Sequence, residues 1–474
     1  MKMHVFIFTV SPSTMRAPYF PARSVLFRKE PNGVTYRVPA LLYLPRCSSF
    51  LAFCEERLSP SDSHAHLLVM RRGTFYTNYV EWEGMDAVGT AYLPGHRSMN
   101  PCPVYDDFTG TLFLFFIAIL GHIPESFQLA TGKNLTRLCY VSSTDNGVTW
   151  GPATDLTQQV IGDTIKEWAT FALGPGHGIQ LKSGRLLIPA YAYHIECKQC
   201  FGKLCQTSPR AFCFHSDTHG RTWRLGDTVP GPESVECQVV SVDEEDGTNF
   251  LYCNARSRLG FRVQALSLDD GATFQEGQLV QRLVEPRNGC HGSVVGFPAP
   301  LHLHLEFHSR LLTQNSRHYL TSPIPSQKNN SPDFLTPTWV LYSHPTWTSA
   351  RKDLGVFLSL YPRDPDSWRG PWVIYEGPSA YSDLAYVELP PSPGSPPAVA
   401  FACLLECGSR TAYDEICFCI FTLYELIDNL PTAETLVSGE CNKQRGPEAN
   451  GGDCDALHMK KSRKKKLGDI CALS

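Results

Sequence analysis

The sequence predicts an all-β chain folded as a β-propeller. Three observations predict it: a turn module that recurs, short apolar runs alternating with Gly- and Pro-rich turns, and a length that one ring of blades can absorb. The module Ser143-Thr144-Asp145-Asn146-Gly147-Val148-Thr149-Trp150 reads S-x-D-x-G-x-T-W. A short side-chain oxygen, an Asp and a Gly fold a tight hairpin turn, and the aromatic residue plugs the base of the flanking sheet. The pattern returns from Ser267 to Phe274 with Phe for Trp, and from Ser216 to Trp223 with Thr218 where the Asp should stand. Copies starting at positions 143, 216 and 267, each between β-rich runs, fit one module per blade.

A chain of 474 residues is ordinarily two or three domains, yet a propeller adds blades about one axis and holds most of such a length as a single domain. Gly and Pro, 36 of each, supply the turns that an all-β chain needs. A formal net charge of -4 argues against nucleic acid as a general partner. The 18 cysteines are scattered singly, often inside apolar runs such as Ile416-Cys417-Phe418-Cys419-Ile420, a pattern of free buried thiols in a reducing compartment rather than of a disulfide framework. The apolar run from Val5 to Val10 is too short for a secretory signal, and no stretch approaches the roughly 20 apolar residues of a membrane span.

The folded part begins near Ser24. The strand Thr35-Tyr36-Arg37-Val38-Pro39-Ala40-Leu41-Leu42-Tyr43 carries one Arg in an apolar run, which is costly unless the charge meets a partner or an anionic ligand. The next strand, from Leu51, ends in Glu55-Glu56-Arg57, and the loop after it holds Asp62; alone, Arg57 and Asp62 read as surface charges. Thr111 to Leu120 is too apolar for a sheet face in water and belongs deep in the fold, followed by a loop that presents Glu125. Ser183 to Tyr193 is a buried strand whose Tyr191 and Tyr193 share a face by the period-two rule, either as core or as phenols at a pocket mouth.

Cys197-x-x-Cys200 with Cys205, and the cluster His302, His304 and His308, lack the companion ligands of a structural zinc site. Residues 298–337 read as an exposed excursion between blades. Trp339 to Ser343 resumes the sheet, Arg351 opens another strand, Ser379 to Leu384 and Ala400 to Glu406 form the last blade, and Ile416 to Leu426 closes it. From about Ser438 the composition turns polar, Gly-rich and then basic, the signature of a disordered tail over 438–474.

These residues identify a family resemblance. The repeated turns, known in that family as Asp boxes, the early Tyr36-Arg37-Val38-Pro39 and the later Arg256 and Arg351 make residues 24–428 resemble the animal sialidases (exo-α-neuraminidases). Within the family, Trp168 to Leu181 and Leu405-Glu406-Cys407-Gly408 look most like the plasma-membrane-associated ganglioside sialidase. The resemblance implies a six-bladed propeller that removes terminal sialic acid from glycolipids and glycoproteins, without metal or organic cofactor.

It further implies that Arg37, Arg256 and Arg351 grip the substrate carboxylate, that Glu406 orients Arg37, that Asp62 is the general acid/base, and that Tyr381 with Glu236 is the nucleophile pair. Arg57 contacts substrate by the same resemblance, Glu125 lies on a mobile loop over it, and Tyr191 and Tyr193 line the pocket side. The physics agrees. Three planar forks hold a carboxylate by charge-assisted bidentate bonds that lysine does not reproduce. The anomeric carbon of sialic acid bears its own carboxylate, so an Asp or Glu nucleophile meets a like charge, whereas a phenol of ordinary pKa about 10 arrives neutral and needs a base beside it.

Two readings from other classes stand beside the enzyme: a sialic-acid-binding propeller without activity, which can dispense with Tyr381, Glu236 or Asp62, and an interaction scaffold, which needs no arginine triad. The final Cys471-Ala472-Leu473-Ser474 fits a C-a-a-X prenylation box, and Lys460, Lys461, Arg463, Lys464, Lys465 and Lys466 precede it, so the tail predicts peripheral attachment to a membrane surface.

Overall fold

Runs rich in aromatic and β-branched residues set the architecture. Thr111–Leu120, TLFLFFIAIL, is buried from Leu112 to Ile119 because it runs between two neighbouring strands and is covered on both faces. The computed structural model describes residues 18–76, 79–200, 204–301, 303–304, 336–389 and 398–431. The expected tail, most of the excursion, and Cys471 lie outside them.

Among the described residues the strands form five antiparallel sheets in a propeller-like arrangement. The first runs Thr35–Leu44, Ser49–Arg57, Ala65–Tyr76, Tyr79–Trp82, with Asp86–Ala87 added to the third strand. The second runs His96–Asp106, Thr111–Leu120, Thr136–Ser143, Thr154–Asp155, and the third joins Trp168–Leu173 to Leu186–Cys200, Leu204–Ser216 and Arg224–Leu225. The fourth runs Cys237–Asp243, Asn249–Ala255, Phe261–Ser267, Gln278–Val284. The last sheet has seven strands, because Trp368–Leu389 pairs with Lys352–Ser359 through its first half and with Ala398–Cys407 through its second. Its far edge is completed by the N-terminal strand Arg23–Arg28, which pairs with Glu415–Thr422, with Arg23 opposite Cys419.

The recurring turns fold as their chemistry dictates. Ser143 Oγ accepts from Gly147 N (2.8 Å), and the Asp145 carboxylate accepts from Thr149 N (2.9 Å) and Thr149 Oγ1 (2.6 Å). Asp269 makes the same bonds to Thr273. In the deviant copy Thr218 Oγ1 accepts from Thr222 N at 2.8 Å, so one hydroxyl supplies the acceptor that the missing Asp would have provided. The tip residues Asn146, His219 and Asp270 have φ of 58°, 56° and 58°, each followed by a Gly that is also left-handed.

The aromatic plug packs on its own sheet and reaches the one before it as well. Trp150 lies 6.0 Å from Phe53 of the first sheet, and Trp223 lies 4.6 Å from Phe115 of the second, so each plug packs against the preceding sheet and fixes neighbours to one another.

At the axis a buried carboxylate joins the ring. Asp383 accepts from Leu41 N (2.7 Å) of the first sheet, from Gln238 Nε2 (2.9 Å) of the fourth, and pairs with His177 Nδ1 (2.8 Å) from the connection before Leu186–Cys200. Ser293 Oγ of the seven-stranded sheet stands 2.8 Å away. Gly176, at φ 105°, lets this connection reach the axis, since a Cβ there would fall 1.9 Å from Gln238 Nε2.

The chain end differs from the expected closing strand. Glu415–Thr422 stops at Thr422, which caps the helix Leu423–Asn429 in a reciprocal capping box with Glu425. The Thr-x-x-Glu signal stands in the sequence, but the apolar run across it masks it.

Candidate active site

Arg37 sits where the strand Thr35–Leu44 bulges. Val38 has φ 60°, an unfavourable value for a β-branched residue and more so before a proline, and the register breaks between Arg37 and Ala40. The bulge is held by Glu406, which is fully buried. One of its carboxylate oxygens accepts from Arg37 Nε (2.7 Å) and Val38 N (2.8 Å), and the other accepts from Tyr381 N (3.1 Å). A single carboxylate thus ties together the arginine, the strained turn and the tyrosine.

The three arginines named from sequence converge on one phenol. Arg37 and Arg351 each place their guanidinium carbon 5.5 Å from the Tyr381 ring centroid, and Arg256 Nη1 donates to Tyr381 Oη at 3.1 Å. Arg37 also stacks 3.8 Å over Tyr413, whose hydroxyl accepts from Arg351 at 3.3 Å. Arg351 is further fixed by Gly289 O and Arg256 by Asn288 O, so their directions are set by backbone before any ligand arrives.

Tyr381 Oη donates a very short bond to Glu236 Oε1, while Glu236 Oε2 accepts from Arg256 at 2.7 Å. Burial, and then the Glu236 charge, push the Tyr381 phenol well above its ordinary value. Burial alone would raise Glu236, but the Arg256 charge and the bonds donated by Tyr381 and Arg256 hold its carboxyl below the usual range. The pair therefore rests as neutral phenol and carboxylate.

Asp62 lies on the short 3-10 turn Asp62–His64 and is about one-third exposed, with its side chain at 36 %. It pairs with Arg57 Nη1, and Arg57, 2 % exposed rather than a surface charge, is clamped by Glu55 through Nε (2.8 Å) and Nη2 (2.6 Å). Burial pushes Asp62 up, yet Arg57 and Arg37 outweigh it and hold its carboxyl below the ordinary value.

Glu125 does not stand on a loop. It opens the helix Glu125–Thr131, and Arg97 fastens the turn before that helix through Gly121 O and Ile123 O, both at 2.7 Å. Crowding by the surrounding protein, then the charges of Asp62 and Glu236, push the exposed Glu125 carboxyl up to about 7. Tyr191 and Tyr193 do share a face, with ring centroids 6.0 Å apart and near-perpendicular planes, and the charge of Glu125 acts on both.

Sequence reasoning missed Glu55, Arg97, Asn100, His291 and Tyr413. Asn100, at φ 55°, donates its N–H to Glu55 Oε1 (2.7 Å) and so supports the Arg57 clamp from the second sheet. His291 packs its ring 5.2 Å from that of Tyr381 and bonds to Pro175 O at 2.8 Å; burial pushes it down to about 4, so it is neutral. Arg97 and Glu55 left a signal, being charges inside strand runs. Cys197 is disulfide-bonded, an exception to the free thiols expected throughout, although Cys205 beside it is free.

Residues 49–389 match the family model described as a BNR repeat-like domain, which places the chain in the class of BNR-repeat propeller proteins. Mouse Sialidase-4 is 48 % identical over 88 % of this chain and 96 % of its own length, mouse Sialidase-2 is 47 % identical over 85 % and 95 %, and mouse Sialidase-3 is 43 % identical over 86 % and 96 %. Among solved structures, the Hadza microbial sialidase Hz136 superposes with a TM-score of 0.60 at 21 % identity, covering 83 % of this chain and 67 % of its own. The chain belongs to the animal sialidase family, and its enzyme class is that of the exo-sialidases, which are glycoside hydrolases.

Proposed function

We propose that this sialidase removes terminal sialic acid from gangliosides and other glycolipids, with retention of configuration through a tyrosyl-enzyme intermediate, at a membrane surface reached by its tail. The observation that carries the chemistry is the neutral Tyr381 phenol bonded to the Glu236 carboxylate inside a ring of three arginines. Counting the seven-stranded sheet as two blades that share Trp368–Leu389 gives the six blades of the family reading.

In this reading Arg37, Arg256 and Arg351 take the substrate carboxylate, Arg57 contacts the sugar, and Tyr191, Tyr193 and Glu125 border the substituents. Asp62 gives its proton to the glycosidic oxygen as the C–O bond breaks. Tyr381 Oη bonds to the anomeric carbon and passes its own proton to Glu236. Water then attacks the same carbon, Asp62 takes the water proton, and Tyr381 leaves with the proton returned by Glu236. A binding-only propeller needs the arginines but has no use for a phenol paired to a base. Release of the fluorophore from a fluorogenic α-sialoside by the purified protein tests the reading; binding without release would favour the binding-only alternative.

The triad makes a second expectation. Arg256→Lys or Arg351→Lys keeps the charge but loses the planar fork, so the Kd for a sialic-acid analogue should rise about tenfold or more, on the order of 1.5 kcal/mol, with little change in melting. Hydrolysis of an analogue lacking the carboxylate as fast as the parent sialoside would exclude the triad.

A pH dependence follows from Asp62. In the free enzyme Arg57 and Arg37 keep it ionised, yet the first step needs its proton. A bound sialoside carboxylate cancels part of the Arg37 field and raises Asp62, so kcat should fall as pH rises through a higher pKa than any assigned to Asp62 in kcat/KM. Activity therefore favours mildly acidic conditions. Coincident limbs in the two profiles would show that substrate does not act on Asp62.

The described residues hold no helix long and apolar enough to cross a membrane. Attachment then rests on Cys471 and the six basic residues before it, since one lipid chain holds only marginally and each basic residue adds about 1 kcal/mol near an anionic leaflet. Cys471→Ser should move the protein to the soluble fraction and leave turnover of a small soluble sialoside unchanged. An unaltered membrane fraction would exclude prenylation.

A further inference from the structure

In the seven-stranded sheet, between the strands Ala398–Cys407 and Glu415–Thr422, Cys407 faces Glu415 and Cys417 faces Leu405, which brings both sulfurs and one carboxylate to the same patch. Cys407 Sγ and Cys417 Sγ are 3.1 Å apart, Cys417 Sγ lies 3.8 Å from Glu415 Oε2, and ligand atoms of all three residues fall within 4.8 Å of one another. Both cysteines are free thiols. They border a cavity of about 620 Å³ whose walls also carry Arg23, Tyr375 and Asp414. The two sulfurs pack in the core of this sheet, and the proposed reaction uses none of the trio.

We propose that Cys407, Cys417 and Glu415 bind one zinc ion, with a water from the adjoining cavity as fourth ligand. The donor set selects the metal. Two sulfurs and one carboxylate suit a borderline-soft cation, whereas magnesium and calcium demand oxygen throughout. The spacing is close to what the ion needs: tetrahedral zinc with Zn–S of about 2.3 Å separates two sulfurs by about 3.7 Å, so the thiols must part by roughly half an ångström.

Charge is compatible as well. Binding releases one proton from each thiol to solvent, and two thiolates with one carboxylate leave the zinc complex at a formal charge of -1. Arg23, whose guanidinium carbon stands 4.5 Å over the Tyr375 ring on the cavity wall, offsets that charge. Glu415 gives up a 3.0 Å pair with Arg28, whose side chain is 68 % exposed, so little is lost. By contrast Cys403 stands opposite Cys419 without a carboxylate or a cavity, and that pair makes no site. The ion would be held one residue from Glu406, the carboxylate that ties Arg37, Val38 and Tyr381 together.

The test uses the full chain, reduced and freed of metal, titrated with Co(II) alone as a spectroscopic stand-in for zinc. We expect about one cobalt per chain with the sulfur-to-metal charge-transfer band and strong visible bands of a tetrahedral thiolate site, both removed by added zinc. Cys417→Ala should abolish the band and Glu415→Gln should weaken binding about tenfold or more, since even residues that only support a ligand cost that much. No charge-transfer band, or a band unchanged in Cys417→Ala, overturns the proposal. Should Cys417→Ala fail to fold, Glu415→Gln at its partly exposed position decides, and unaltered affinity there overturns it. Because the readout is optical, it stands apart from any sialoside assay.

Discussion

Tyr381→Phe is expected to reduce turnover of a fluorogenic sialoside by about 10³-fold or more while the protein still folds and still binds a sialic-acid analogue. The ring remains in its 8 %-exposed site, so packing is preserved. The lost hydroxyl leaves no orphaned charge, because Glu236 keeps its 2.7 Å bond to Arg256, and stability should change by only about 1 kcal/mol. What disappears is the atom proposed to bond the anomeric carbon. Single-turnover and melting measurements on the variant check this, and survival of a tenth of the wild-type rate would remove Tyr381 from the chemistry.

Asp383→Ala should have the opposite signature, a large loss of stability. The substitution leaves Leu41 N, Gln238 Nε2 and His177 without their common acceptor at the axis, and breaking a buried, hydrogen-bonded ion pair costs about 3–5 kcal/mol. Denaturant titration of the variant checks it, and a midpoint equal to wild type would show that the axis bears no stability.

The same pair gives stability a pH window. Burial raises Asp383, but His177 and the donated bonds outweigh it and lower its pKa, so its contribution is present above the unfolded carboxylate value of about 4 and fades as pH falls through the lower folded value. His177, which Asp383 raises against the opposing effect of burial, contributes fully below about 6.5 and loses its share as pH climbs through its higher folded value. Mildly acidic solution therefore suits both the fold and the proposed acid.

What the sequence made legible was local or chemically odd. The turns at Asp145, Thr218 and Asp269 are closed by residues four positions apart, so their bonds can be read from eight letters. Arg37 could be singled out because an unpaired guanidinium does not belong in an apolar strand. The resemblance added Glu236 and Tyr381, 145 positions apart, whose pairing no local pattern encodes. Asp383 shows the limit most clearly: it is visibly a charge in an apolar run, but its partners come from four other segments, and only the closed ring decides which. Val38 is similar, for its left-handed backbone results from Glu406, 368 residues away. Cys407 and Cys417 read as two core thiols because nothing in a strand pattern shows that their side chains meet diagonally across a ladder.

The pairing of Arg23–Arg28 with Glu415–Thr422 means that the first of the described strands belongs beside the last of them. During synthesis that strand emerges almost 400 residues before its partner, and until then it and the waiting edge offer open rows of N–H and C=O groups. Ring closure is therefore a late event with a long loop to close, which slows folding and leaves the nascent chain exposed to mispairing with its neighbours. For this enzyme the period of greatest vulnerability is its own birth, before the two ends have met.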